Sequence, residues 1–356
     1  MKKLLLLFAL PLSVSAYDHN TWDYPLFHFD RHEINPSQDF YQFDSNLRKD
    51  QDVLDEFTDS GILSYLLFEN NQIVIDENKY YDLVGDGPLP SHSMGKSLVS
   101  YVTGHAICNG DIASVDEKLN WDVLNNTLFY GQPLINLLNM RAGDQNYVGD
   151  ALSPQNDNLL KSSRVNSNLI SLEDIMNNEL SGSKLGNWAP YNYSALTTHV
   201  IFNYVLHKSG DDILNKVFTD HVKVKNNVYF TKTNKGQGQS SRYSFYADRY
   251  DYLRIARTIM NDWHSDTCIG NYLRTVYDRR ISKENYRSGL TSINDSTKNY
   301  GGQFHFDIYG MEDRTIIGMS GFACQDIMID VTNNKIMVIN SKSCSYDWKE
   351  IAYEKF

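Results

Sequence analysis

The sequence predicts an α+β fold in which one antiparallel sheet is assembled from both ends of the chain and flanked by helices. Two β-rich runs, 64–69 and 72–76, are separated by Asn70 and Asn71, a pair typical of a hairpin turn. Further β-rich runs lie near the C-terminus, at 302–309, 326–331 and 335–340. Because strands occur at both ends, the segment between them must be inserted into the sheet.

The inserted segment is predicted to be mostly helical, from about Ser93 to about residue 280. Long loops are expected around 125–190 and 222–245, where helical periodicity is weak. The chain ends in a short amphipathic segment that we expect to form a helix lying on the sheet, with apolar residues at Trp348, Ile351 and Tyr353. A functional site is expected where the sheet meets the helical subdomain.

The N-terminus has the pattern of a secretory signal peptide. Met1-Lys2-Lys3 precedes a short apolar run, and small residues lead to a predicted cleavage after Ala16. Tyr17 follows the cleavage point, whereas a lipoprotein would carry cysteine there. We expect a signal peptide over 1–16, an irregular arm over 17–58 and the folded domain over 59–356, in a chain that is periplasmic or secreted without stable membrane insertion.

Charge and cysteine content narrow the possible partners and the compartment. The chain has 33 basic and 44 acidic residues and a formal net charge of −11, which argues against nucleic acid as a partner. Its four cysteines fit disulfides in an oxidising compartment.

One disulfide is predicted from the C-terminal hairpin, between Cys324 and Cys344. A turn of only Asn333-Asn334 would place Ser343 opposite Cys324, and a turn one residue longer, or a bulge, would bring Cys344 there. The two remaining cysteines, Cys108 and Cys268, then either pair with each other or stay as buried thiols.

The stretch with the clearest chemistry is Ser93-Met94-Gly95-Lys96. Serine and lysine three residues apart lie on one helical turn, so a partly desolvated Lys96 can take the proton of the Ser93 hydroxyl. Amides of the first helical turn would face the developing oxyanion. The alternative is a serine that caps the helix beside a solvated lysine.

Two other patterns are interpreted as structural. Ser181-Gly182-Ser183-Lys184 repeats the Ser-x-x-Lys spacing but lies in a Gly/Ser-rich stretch, so we assign it to a loop. His28 and His32 have metal-ligand spacing, yet their aromatic, Pro-flanked segment is not periodic and is predicted to be a solvated extension. No metal site is therefore predicted.

Beyond these residues, the chain resembles the β-lactamase-related serine hydrolases, which include class C β-lactamases, esterases and 6-aminohexanoate-dimer hydrolases. The resemblance implies a β-lactamase/transpeptidase-like fold and spans about 64–340. It is carried by segments in the family's order: 91–97 (the nucleophile helix), 109–119, 137–143 (with Ala142 where serine is usual), 248–256 and 300–304.

The resemblance also implies a second catalytic motif, Tyr-x-Asn or Tyr-x-Ser. Its counterpart is Tyr193-Ser194-Ala195, with Tyr191 as the alternative tyrosine. Tyr193 would assist proton transfer together with Lys96. Ala195 departs from the motif and removes a polar substrate contact, which argues against β-lactams as substrates.

The third motif of the family, Lys-Thr-Gly or a variant, is matched by Met319-Ser320-Gly321. The resemblance implies that Ser320 and Gly321 line the substrate site and that the amide of Phe322 completes the oxyanion hole. Met319 provides no cation for a substrate carboxylate. The alternative is a buried hairpin strand whose small residues only allow close packing.

These residues together predict an exported serine hydrolase that cleaves an ester or a small amide through an acyl-enzyme on Ser93, without a cofactor. The partner would be a small-molecule ester or amide. Two alternatives remain: a β-lactamase or D-Ala carboxypeptidase, and a non-catalytic envelope binding protein of the same fold.

Overall fold

The computed structural model describes residues 30–79, 88–148, 170–186, 190–233, 241–283 and 292–356. The predicted signal peptide, 1–16, and His28 lie outside the described residues. Within them, no helix combines the length and the apolar character that crossing a membrane requires.

A nine-stranded sheet contains strands from both ends of the chain, as the sequence predicts. Its order is β2-β4-β3-β13-β12-β11-β10-β9-β8, and neighbours are antiparallel except for the parallel pair β2-β4. The strands are β2 (Asp44–Ser45), β3 (Ile62–Glu69), β4 (Gln72–Asn78), β8 (Ile281–Ser282), β9 (Thr297–Gly301), β10 (Phe304–Ile308), β11 (Ile316–Gly321), β12 (Gln325–Asp330) and β13 (Lys335–Ser341).

The first hairpin forms where the sequence predicts it. Asn70 and Asn71 have φ values of 53° and 61°, the left-handed conformation that a two-residue hairpin turn requires and that asparagine tolerates. β3 then pairs with β13, with Lys335 opposite Glu69, so the two ends of the chain meet at the centre of the sheet.

Helices make up most of the inserted segment, and helices pack against both faces of the large sheet. Their bounds are α1 (Gln51–Asp59), α2 (Met94–Cys108), α3 (Leu134–Leu138), α4 (Gln145–Val148), α5 (Leu172–Asn178), α6 (Ala195–Ser209), α7 (Ile213–Asn215), α8 (Arg249–His264), α9 (Cys268–Asp278) and α10 (Ile293–Ser296). A 3₁₀ turn (Asp122–Leu124) and two π-helical turns (Lys216–Val222 and Lys349–Tyr353) complete the described helical structure.

A second, four-stranded sheet corrects the prediction that the inserted segment consists only of helices and loops. Its order is β1-β6-β7-β5, with β6 and β7 in and beside the predicted loop 222–245. The arm supplies its edge strand, so pairing between distant segments creates strands that local periodicity does not reveal. The strands are β1 (Arg31–Ile34), β5 (Leu89–Pro90), β6 (Val228–Lys232) and β7 (Ser241–Ala247).

His32 is part of this second sheet, not of a solvated extension as predicted. It is only 7% exposed. Its Nε2 hydrogen-bonds to the Ser241 hydroxyl at 2.7 Å and its Nδ1 lies 3.2 Å from Asp211. The histidine therefore links β1 to the start of β7 across the intervening strand β6.

The large sheet buries a core on each face. One core packs against α2, α6 and α8, and the other against α1 and the C-terminal π-helical turn. Trp348 is buried in the second core, and the Tyr65 hydroxyl donates to the Ile351 carbonyl at 2.8 Å. The predicted C-terminal helix on the sheet is therefore confirmed.

Both cysteine pairs form disulfides, Cys324–Cys344 and Cys108–Cys268. The register behind the first prediction was wrong, because β12 and β13 pair with Asp326 opposite Ile339 and Asp330 opposite Lys335. Cys324 lies in the turn before β12 and Cys344 lies beyond the end of β13, with their Cα atoms 5.1 Å apart. Chain outside the ladder, not a longer turn or a bulge, thus brings them together.

Candidate active site

Ser93 and Lys96 meet at the start of α2. The Lys96 Nζ donates to the Ser93 Oγ at 2.8 Å, and Lys96 is 1% exposed. Ser93 occupies the N-cap position, but its side chain makes no capping hydrogen bond. The alternative of a capping serine beside a solvated lysine therefore does not hold.

The surroundings of Lys96 act on its pKa in opposite directions, and the effect of burial is the largest. Burial lowers the pKa of the amine, while its hydrogen bond and charge interaction with Tyr193 raise it. The Nζ lies 3.8 Å from the centre of the Tyr243 ring and 4.7 Å from that of Tyr193. An amine with a lowered pKa can accept the proton of a neighbouring hydroxyl.

Tyr193 is positioned by the residues just before α6. Its carbonyl accepts a hydrogen bond from Gln145, and the following residue, Ser194, caps α6 by accepting from the Thr197 amide. Ser194 and Thr197 both donate to the buried Asp144, whose pKa burial raises to about 6. This local network fixes the start of α6 and therefore the tyrosine beside Lys96.

The alternative tyrosine, Tyr191, lies in a different environment. Its ring packs against Tyr300 with centroids 5.3 Å apart, and burial raises its pKa well above the ordinary value. The Tyr193 ring contacts both Tyr300 and Lys96: it lies edge-on to Tyr300 and turns its face toward Lys96. Of the two tyrosines, the structure thus places Tyr193 against the lysine.

Tyr243, on β7, is a site residue that the sequence analysis missed. A hydrogen-bonding interaction with Ser93 lowers the pKa of its buried hydroxyl, although burial raises it more. Its ring stacks on His199 with centroids 5.0 Å apart. Tyr243 lies in a segment predicted as a loop, and no motif includes it, so the sequence carried no signal for its role.

Gln303, in segment 300–304, connects to two other segments that carry the family resemblance, 91–97 and 137–143, and to α6. Its backbone carbonyl accepts from the Ser97 hydroxyl at 2.6 Å, and its side-chain oxygen accepts from Thr198 at 2.7 Å. Its amide donates to the Leu138 carbonyl at 2.8 Å. The start of α2, α6 and the 137–143 loop are thereby held to the same turn between β9 and β10.

Gly321 brings the end of β11 against the nucleophile. A Cβ at this position would lie 3.2 Å from the Ser93 amide nitrogen and 2.3 Å from the Ser91 carbonyl oxygen. Only a residue without a side chain allows this approach. The strand end therefore forms one wall beside the first amides of α2.

The other two residues of the third motif, Met319 and Ser320, have different surroundings on β11. Met319 is buried in the core that packs on α2. Ser320 is in register with Asp326, and their hydrogen bond lowers the pKa of this carboxyl, which burial raises to about 6. Ser320 thus lies beside a buried carboxyl group of the neighbouring strand.

Phe322 lies just beyond the strand in which it was predicted. β11 ends at Gly321, and 322–324 form a turn in which Ala323 and Cys324 have φ values of 61° and 58°. Phe322 is 45% exposed, and its ring packs edge-on against His92 with centroids 5.6 Å apart. The turn therefore places this exposed ring beside the residue that precedes Ser93.

His92 has a strained backbone directly before the nucleophile. Its φ is 45°, which a non-glycine residue adopts only when its surroundings impose it. Burial, with a smaller effect of Lys96, lowers the pKa of its ring to about 4, so the imidazole is neutral near pH 7. The preceding residue, Ser91, is paired to Phe245 of β7 through its amide and its hydroxyl.

The second Ser-x-x-Lys sequence is a loop, as predicted. Ser181 is exposed and its hydroxyl accepts a hydrogen bond from the Asn126 side chain at 3.1 Å. Lys184 is exposed as well. Burial of the lysine is therefore what distinguishes the pair on α2 from this one.

Comparison with known proteins confirms the fold. No protein-family model matches the chain, and no curated protein matches it in sequence. A structure described as a 6-aminohexanoate-dimer hydrolase from Bacillus anthracis matches with a TM-score of 0.68 at 15% identity, over 96% of this chain and 92% of that one.

Two further solved structures carry other activities on the same fold. EstCE1, described as a hydrolase with promiscuous acyltransferase activity, matches with a TM-score of 0.58 at 10% identity, over 85% of this chain and 97% of that one. A β-lactamase/D-alanine carboxypeptidase from Pseudomonas syringae matches with a TM-score of 0.55 at 10% identity, over 85% and 94%. The chain thus has the predicted β-lactamase/transpeptidase-like α+β fold.

Proposed function

We propose that this protein is a serine hydrolase in which Ser93 forms an acyl-enzyme. The observation that carries the proposal is the 2.8 Å contact between the Ser93 Oγ and the Nζ of a lysine that is 1% exposed. Solved structures of the same fold are described as a 6-aminohexanoate-dimer hydrolase, a hydrolase with promiscuous acyltransferase activity and a β-lactamase/D-alanine carboxypeptidase, which supports hydrolase chemistry here.

In the acylation step, the Ser93 Oγ attacks the substrate carbonyl carbon while its proton passes to the Lys96 Nζ. The carbonyl oxygen becomes an oxyanion, and collapse of the tetrahedral intermediate breaks the bond to the leaving alcohol or amine. Lys96 and Tyr193 return the proton to that leaving group. Water then attacks the acyl-enzyme in the same way and releases the acid.

The oxyanion would be held by backbone amides from two directions. The Ser93 amide lies at the positive end of α2, and the strand end at Gly321 lies beside it. We assign the second donor to the amide of Phe322, the first residue after β11.

The substrate is proposed to be an ester or small amide without a carboxylate next to the scissile bond. Met319 is an uncharged core residue. Ala195 adds no polar group at the second motif. A β-lactamase or D-Ala carboxypeptidase activity is less well supported, because neither Met319 nor Ala195 offers a charged or polar contact for a substrate carboxylate.

Export of the protein is part of the proposal. The N-terminal 1–16 segment has the composition of a signal peptide, and the two disulfides fit an oxidising compartment, periplasmic or extracellular. The domain limits 17–58 and 59–356 are proposed on the same basis.

A fluorophosphonate probe tests the proposed nucleophile. We expect the purified protein to be labelled, Ser93→Ala to abolish labelling, and Ser181→Ala, which removes the exposed serine of the other Ser-x-x-Lys sequence, to leave it unchanged. Folded wild-type protein that is not labelled would instead support a non-catalytic binding protein of the same fold.

A further inference from the structure

A second cluster of reactive side chains lies at the opposite end of α2 from Ser93. His105 comes from the last turn of α2, His221 from the π-helical turn 216–222, and Asp262 from the last turn of α8. One ligand atom of each lies within 4.8 Å of the others. Two imidazoles and one carboxylate are a donor set that Zn²⁺ prefers.

His105 has a ring nitrogen without a partner. Its Nε2 is buried and has no hydrogen bond, although an unpaired buried polar atom is costly. A buried ring nitrogen without a hydrogen-bond partner is available as a metal ligand.

The other two ligands already face each other. The His221 Nε2 lies 3.0 Å and 3.1 Å from the two Asp262 carboxylate oxygens. Zinc–nitrogen bonds of about 2.0–2.1 Å in a tetrahedron place ligand atoms roughly 3.4 Å apart. The present spacing of up to 4.8 Å therefore requires only a small movement, which the half-exposed His221 can make.

The surrounding contacts hold the ligands in place. The Tyr101 hydroxyl donates to Asp262, which orients the carboxylate toward the histidines. The Cys108–Cys268 disulfide joins the end of α2 to the start of α9, just after the segments that carry His105 and Asp262. Both covalent and hydrogen-bonded links thus restrict the geometry of the cluster.

His221 and Asp262 line a cavity of about 500 Å³, which arm residues 39–42 also line. The charged groups that also line it are Asp39, Lys223 and Arg257; Lys223 is paired with Asp39, and the Arg257 guanidinium lies over the Tyr41 ring at 3.5 Å. The fourth coordination position would face this cavity, where the Arg257 guanidinium favours water, hydroxide or a small anion.

We propose that His105, His221 and Asp262 bind one Zn²⁺ ion at a site separate from the hydrolase centre. No metal site was predicted from the sequence, because the ligands come from three distant segments and no short motif contains them. The proposal is independent of the chemistry at Ser93.

The test uses the mature protein with both disulfides intact, stripped with EDTA in the absence of thiols and then titrated with Zn²⁺ or Co²⁺. We expect one metal ion per chain and, with Co²⁺, the intense visible absorption of tetrahedral coordination. His221→Ala and His105→Ala should each weaken zinc affinity by more than about tenfold, and His264→Ala, which removes an exposed histidine beside the site, should leave it unchanged.

Tyr101→Phe tests the orienting role of the tyrosine. Loss of the hydroxyl that donates to Asp262 should weaken zinc binding by about 10- to 100-fold while one zinc ion per chain is still bound. Because His221 is half-exposed, its alanine variant should fold even if His105→Ala does not. A stripped wild-type protein that binds no Zn²⁺ stoichiometrically, or that binds it as tightly as folded His221→Ala, would overturn the proposal.

Discussion

The carbonyl oxygen of Tyr243 occupies the space where any side chain at position 95 would project. A Cβ on Gly95 would come within 1.9 Å of this oxygen, so glycine is what lets β7 lie directly against the first turn of α2. The same contact places the Tyr243 ring over Lys96 and its hydroxyl near Ser93. The Ser-x-x-Lys motif therefore depends on the residue type at one of its two intervening positions.

We expect Gly95→Ala to displace β7 from α2 and misalign Ser93, Lys96 and Tyr243. A displacement of about 1 Å at reacting groups typically costs about 100-fold in rate, and overpacking costs about 1–3 kcal/mol of stability. Fluorophosphonate labelling kinetics and thermal unfolding measure the two effects. Gly182→Ala is the control, because its φ of 77° makes alanine strained but nothing lies within 4 Å.

Gly182→Ala should lose some stability and keep the wild-type labelling rate. Equal labelling rates for Gly95→Ala and the wild type would show that the close packing of β7 on α2 is not needed for nucleophile geometry.

Lys96 is expected to act as the general base. Lys96→Ala should reduce turnover by about two to four orders of magnitude while the fold remains, and Lys96→Arg should not restore activity because a guanidinium stays protonated. The base must be deprotonated, so the wild-type rate should rise with pH and level off above the pKa of Lys96. Burial lowers that pKa below 10.5, and the rise should therefore occur at lower pH than for an exposed lysine.

A pH–rate profile of acyl transfer, together with circular dichroism of the variants, checks this expectation. Unchanged hydrolysis by folded Lys96→Ala would eliminate the lysine as the base. A wild-type profile that rises only at the pKa of a solvated lysine would contradict the effect of burial.

Tyr193→Phe and Tyr191→Phe form a matched pair of tests for the second motif. The charge interaction with Tyr193 and the hydrogen bond that Lys96 donates to its hydroxyl oxygen raise the pKa of Lys96, so their removal should lower that pKa further and move the rising limb of the profile to lower pH. It should also reduce the maximal rate, because the leaving group loses a proton relay. Tyr191→Phe keeps the ring packed on Tyr300 and should change neither property.

The opposite result would assign the proton-transfer role to Tyr191. In that case Tyr191→Phe would shift the rising limb of the pH–rate profile and lower the rate, and Tyr193→Phe would do neither. Measuring both variants over the same pH range with one ester substrate separates the two assignments.

The substrate preference of the site can also be predicted. The site should hydrolyse a short-chain p-nitrophenyl ester faster than a chromogenic cephalosporin, because Met319 is buried and uncharged and Ala195 is apolar. A hydrolysis panel that adds a short amide measures this directly, with Ser93→Ala as the background. Efficient cephalosporin turnover with negligible esterase activity would establish the β-lactamase alternative instead.

The sequence predicted best what depends on neighbouring residues. Ser93 and Lys96 are three positions apart, so helical geometry alone brings them together, and Asn70-Asn71 determines its hairpin by backbone preference. Tyr243 and His221 were not predicted, because their positions depend on how β7 and a π-helical turn pack against α2. Tertiary packing between distant segments leaves no local pattern to detect.

For the disulfide between Cys324 and Cys344, the pairing could be predicted from the sequence but the strand register could not. The pairing is confirmed, but the supporting register was not, since the ladder of β12 and β13 ends before either cysteine. Proximity of the two chain segments could be inferred from the hairpin, whereas the path of the chain beyond the strands could not.

Removing this disulfide should affect catalysis as well as stability. Cys324 ends the 322–324 turn, whose first residue, Phe322, is proposed to supply an oxyanion amide. A double Cys324→Ser, Cys344→Ser variant should lose about 2–4 kcal/mol of unfolding free energy, and its freed turn should lower the acylation rate. Cys108→Ser, Cys268→Ser is the matched control, because that bridge lies at the opposite end of α2 from Ser93.

Denaturant unfolding and labelling kinetics separate the two roles. The control should lose stability to a comparable extent and retain the wild-type labelling rate at temperatures where it is folded. If both double variants label at the wild-type rate, the turn contributes no oxyanion donor that depends on the disulfide, and the second amide must be sought within β11 at Gly321. If both label slowly, the effect follows general loosening of the fold and not the position of Phe322.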